Sequence, residues 1–155
     1  MKPIDECFKH INSLSYPPHV AESFLKRNNL NTGYVQDLSD FRFVSLINLY
    51  KGRSCYFHSP PPLFKGDCSI YLTNINKDPF AGLSFSFIDN DYFLVDSIQG
   101  IKGKKTKRKK LKGSQFNLIR YLNWESCLLD VLETKAKWCE ADCVGRRDGK
   151  ERQAS

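Results

Sequence analysis

Residues 102–112 read KGKKTKRKKLK, with eight lysines and arginines and no acid among them. Clustered cations of this kind suit a phosphate-bearing ligand such as coenzyme A, a nucleic-acid backbone or an anionic membrane. The formal net charge of the chain is +7, from 24 basic and 17 acidic residues. Without the eight charges of this run the rest sums to −1, so the folded body is close to neutral. A broad nucleic-acid face spreads Lys and Arg over several elements; here one local anion contact is expected instead. The run lies between the end of a strand and the start of a helix, where Ser114 offers an N-cap and free backbone N–H groups favour anions. Gly100, Gly103 and Gly113 permit close backbone approach. Lys102, Lys104, Lys105, Lys107 and Arg108 would neutralise the ligand's phosphate. The spacing does not match GxxxxGK[ST], which argues against a nucleotide-hydrolysing P-loop.

Asp96 and Ser97 stand on the strand that leads into the basic run, so they would face a ligand bound there. Asp96 is the candidate general base. His58 is a second catalytic candidate, beside Ser59 and near Cys55, an arrangement that could join a thiol and an imidazole; a surface or capping histidine is the simpler reading. Cys139 and Cys143 stand four apart, and Cys55 and Cys68 could approach from neighbouring strands. A structural zinc site usually shows two tight C-x₂₋₄-C pairs, so the six cysteines read as reduced, mostly buried thiols and no metal is expected. Asp89 and Asp91 read as turn residues.

These groups need a scaffold, and the patterning predicts an α+β domain. Ile4, Cys7, Phe8, Ile11 and Leu14 fall at helical spacing, predicting a helix over 4–14 that ends at Tyr16-Pro17-Pro18. A second helix is expected over 19–28, with Val20, Phe24 and Leu25 inward. The stretch 41–50 suits either state and is assigned to a strand, and 53–58 to a short β segment closed by three prolines. Strands are expected over 67–73, over 82–87 with Leu83, Phe85 and Phe87 on one face, and over 92–98 after a turn at 89–91. They form an antiparallel meander. Beyond Gly113 the chain turns helical, with a break near Asn123 and an apolar stripe of Trp124, Cys127, Leu128, Val131, Leu132, Ala136 and Cys139. Trp124, Leu128, Leu132 and Trp138 could form a partner-binding face, although packing against the sheet is the default for such a stripe. A final short strand is expected within 141–144. Residues 1–144 read as one domain and 145–155 as a polar, flexible tail.

The chain has 155 residues, 41% of them apolar and 26% charged, which suits a folded domain with a sizeable core. No stretch approaches the roughly 18 apolar residues that a membrane span requires. Asp5 and Glu6 stand where a signal peptide needs apolar residues, so the cytoplasm is the expected compartment.

The predicted order of two helices, a meander, a loop, a helix and a short strand resembles the GCN5-related acyltransferase fold. The helix text LLDVLETKAKWCEADCV is similar to the helix after that fold's acyl-CoA loop. The resemblance implies that an acyl-CoA cofactor lies on a Q/R-x-x-G-x-G/A turn, whose beginning is approximated by Gln99, Gly100 and Gly103. Where the motif would place glycines before Ser126, this chain has Leu122, Asn123, Trp124 and Glu125. A second resemblance, covering about 40 residues, is to bacterial VirK/YbjX-like proteins and rests on GDCSIYL (66–72), GLSFSF (82–87) and LVDSIQG (94–100). It implies a bacterial cytoplasmic protein. The expectation is therefore an acyltransferase-like domain binding acyl-CoA or another phosphorylated small molecule. Its rivals are a non-catalytic module whose lysines contact nucleic acid or an anionic surface, and a catalytically inactive interaction scaffold.

Overall fold

Pro17 and Pro18 set the first boundary in the chain. Pro17 is extended, at φ −59° and ψ 153°, and Pro18 opens helix α1 (Pro18–Arg27), where its missing N–H would have had no helical partner anyway. The computed structural model describes residues 12–48, 57, 66–89, 92–100, 113–141 and 144–146. Within α1, Ala21, Phe24 and Leu25 are buried. A 3₁₀ turn (Thr32–Tyr34), started by the Asn31 side chain, leads into the short helix α2 (Val35–Asp40).

Just before the prolines the helix expected over 4–14 is corrected. Residues 12–14 form strand β1 (Asn12–Leu14), antiparallel to β2 (Arg42–Ile47), with Leu14 opposite Phe43. The ladder along β2 outweighs the local helical periodicity, as tertiary context commonly does. Residues 4–11 lie outside the described part. Within the ambiguous 41–50 stretch, Arg42–Ile47 form a strand, as assigned, and residues 49–50 lie outside the described part. Of 53–58 only Phe57 is described; it is buried and meets Tyr71 edge-on at 5.3 Å.

Strands β3 (Cys68–Thr73), β4 (Pro79–Ile88) and β5 (Tyr92–Gly100) continue the meander. Helices α3 (Gly113–Tyr121) and α4 (Trp124–Trp138) follow, then strand β6 (Val144–Arg146), which takes in the first two residues of the expected tail. Among the described residues the sheet has six strands in chain order. All neighbouring pairs are antiparallel except β5–β6, which is parallel and joined by the helical connection.

Alternation divides the strands into two faces. Phe43, Ile47, Cys68, Ile70, Leu72, Ala81, Leu83, Phe85, Phe93 and Val95 join the buried residues of α1, α2, α3 and α4 in one core. The helices therefore cover one face of the sheet. The other face carries a smaller cluster of Val44, Leu46, Phe57 and Tyr71. The expected α4 stripe is buried against the sheet, and the expected break is real: Asn123 caps α4 by accepting a hydrogen bond from the Ser126 N–H at 3.2 Å. Among the described residues no helix is long and apolar enough to cross a membrane.

Candidate functional site

Regular pairing between β4 and β5 breaks at one point. Ser84 faces Ser97, but Phe85 faces Val95, so Asp96 is an extra residue in β5. This is a β-bulge, and it changes which way the following side chains point. In a regular strand Asp96 and Ser97 would lie on opposite faces. Here both meet serines of the same β4 face. The Ser86 hydroxyl donates to Asp96 Oδ2 at 2.5 Å, and the Ser84 and Ser97 hydroxyls are 2.9 Å apart. The bulge also lets Val95 and Ile98 both face the helical core, since their partners Phe85 and Leu83 do.

The site thus occupies the β4–β5 half of the sheet face opposite the helices. Ser84 is fully buried and Ser86 is 8% exposed. A third element closes one side. A Cβ added at Gly66 would come within 2.6 Å of Asp96 Oδ2 and 2.7 Å of the Phe85 carbonyl oxygen, so the chain passes against the carboxylate only as glycine. The Gly66 carbonyl accepts from Asn48 Nδ2 at 2.6 Å, and Asn48 Oδ1 accepts from the Ser69 hydroxyl at 2.7 Å. Sequence reasoning placed Asp96 and Ser97 here and missed Ser84, Ser86, Gly66, Ser69 and Asn48. The alternation of 82–87 held part of the signal, because it sets three small residues (Gly82, Ser84 and Ser86) on one face.

Gln99 and Gly100 form the exposed end of β5, opposite Gly82 and Ala81. The Trp124 ring lies over Gly100, 3.8 Å from where a Cβ would be. Of the two helix starts after β5, that of α4 is occupied by its own Asn123 cap and carries Glu125 in its first turn. The first turn of α3, which contains Ser114, holds no acid. A helix N-terminus free of acids is the better host for an anion. His58, Lys102, Gly103, Lys104, Lys105, Lys107 and Arg108 lie outside the described residues.

Cys68, Cys127 and Cys139 are buried. Among the described residues no three His, Cys, Asp or Glu side chains gather to hold a metal ion, and Cys55, His58 and Cys143 are not among them. No protein family, curated protein or solved structure matches the chain.

Proposed function

We propose that this chain is an acyltransferase-like domain that binds acyl-CoA or another phosphorylated ligand where β5 leads into α3. The observation that carries the reading is the bulge at Asp96. It sets a carboxylate and the Ser97 hydroxyl side by side on the strand that runs into the lysine-rich segment. The observed order is a short strand, helices, an antiparallel meander, the basic segment, helices, and a short strand parallel to the last meander strand; from the first helices onward it follows the order on which the acyltransferase resemblance rests. In this reading Lys102, Lys104, Lys105, Lys107 and Arg108 neutralise phosphate, with Gln99, Gly100, Gly103 and Ser114 beside it. Asp96 takes the acceptor's proton, and His58 is the alternative base. Trp124, standing where the resemblance would put glycine, directs the phosphate toward α3 and away from α4.

Thermal-shift titration with coenzyme A, acetyl-CoA and a short RNA or DNA duplex tests this. A ligand that binds only the folded state raises its melting temperature. Coenzyme A and acetyl-CoA are expected to stabilise the protein. The eight cations of 102–112 also favour a second reading, a nucleic-acid contact without catalysis. Stabilisation by duplex alone, falling steeply with added salt, would replace the first reading by the second.

A further inference from the structure

We infer that Ser86 is a positioning residue for Asp96 in the acyl-transfer step, with Gly66 forming the opposite wall of the seat; the role rests on the acyltransferase-like reading above. Asp96 Oδ2 lies between two fixed neighbours, the Ser86 hydroxyl at 2.5 Å and the bare Cα of Gly66. The hydroxyl contact is at the short end for a charge-assisted O–H to carboxylate bond. Ser86 sits within β4 and is almost fully buried, so the hydroxyl that meets Asp96 stands on a packed strand. Gly66 is itself held through its carbonyl by Asn48, which Ser69 holds in turn. Two separate stretches of chain therefore flank one carboxylate, and a third holds one of them in place. A reacting group must be held to within about half an ångström by a supporting shell, and this arrangement supplies one. The bulge adds the aim, at the point where the described pairing of β5 with β6 ends at Val95.

In the step itself an acceptor amine or hydroxyl passes its proton to Asp96 while its lone pair forms the bond to the thioester carbonyl carbon. The carbon–sulfur bond breaks, and the departing thiolate takes the proton back from Asp96. Acyl-CoA and acceptor become acylated acceptor and coenzyme A, with no further reactant.

The test uses the full chain with acetyl-CoA and water as acceptor, followed by release of free thiol. Calorimetry supplies the coenzyme A Kd, and carbon-13 NMR the Asp96 carboxylate resonance. Ser86→Ala should lower kcat between about tenfold and a hundredfold, the scale of a small misplacement of a reacting group. The coenzyme A Kd should stay unchanged and the Asp96 resonance should move. Ser86→Thr, which keeps the hydroxyl, should restore most of the rate, and Asp96→Asn should lose at least as much as Ser86→Ala. Wild-type kcat in Ser86→Ala, or an unmoved Asp96 resonance, overturns the positioning role while leaving the ligand reading intact. Absence of coenzyme A binding in the wild type is a different result, which overturns the ligand reading and this role with it.

Discussion

Cys127 lies on the inner side of α4, and burial pushes its thiol up from the ordinary value to about 12, with the Asp130 charge adding to the effect. Tyr16, which donates to Asp130 Oδ2, is pushed upward too, first by burial and then by the charges of Cys127 and Asp130. A group whose folded pKa is raised stabilises fully below its unfolded value and loses that contribution as pH rises through the folded one. The unfolded chain therefore sheds protons first, and stability should fall by roughly 1 kcal/mol per pH unit through Cys127 above about pH 9 and through Tyr16 above about pH 10. Urea midpoints at pH 8, 9 and 10 measure this, and Cys127→Ala should flatten the slope. Two further residues give opposite signs. Gly66→Ala should destabilise by about 1–3 kcal/mol, because the new methyl meets Phe85 backbone atoms that cannot yield. Ser45→Ala should be neutral or slightly stabilising, since the Ser45 hydroxyl is buried in the sheet without a hydrogen bond. A loss above about 1 kcal/mol there would mean that the hydroxyl has a partner.

At the scale of elements, α4 draws its stability from two sources. One is the face of Cys127, Leu128, Val131, Leu132 and Ala136 against the sheet; the other is the Asn123 cap. Asn123→Ala should cost about 1 kcal/mol in urea unfolding, whereas Asn123→Ser should cost little. The stripe was legible in the sequence because a 3.6-residue period of apolar residues has one physical solution, burial on one side. The meander was legible for the matching reason at period two. Strand β1 was not. Its apolar spacing suited a helix, and only the presence of β2 beside it offered a ladder. The bulge was hidden as well, since no local pattern in LVDSIQG marks the place where one strand holds a residue more than its partner.

For the whole molecule, the helices lie on one face of the sheet and the candidate site on the other, so Asp96 and Ser97 are set apart from the main core. The charge is localised in the same sense, in one segment of the chain. Replacing Lys104, Lys105, Lys107 and Arg108 together by alanine should leave the unfolding free energy in urea within about 0.5 kcal/mol of wild type. The same variant should lose the thermal shift with coenzyme A or duplex. A retained shift would place the anion site elsewhere.

The α+β class, the meander, the α4 stripe and the concentration of the net positive charge in 102–112 could be read from the chain alone. Each follows from local composition or from a period along the chain. That Asp96 and Ser97 share a face, and that Ser86 and Gly66 flank the carboxylate with Asn48 holding Gly66, came only from the tertiary structure. Those contacts join residues 10 to 30 positions apart, and those of Asp96 and Ser97 depend on a register shift between β4 and β5 that the pairing of two strands creates.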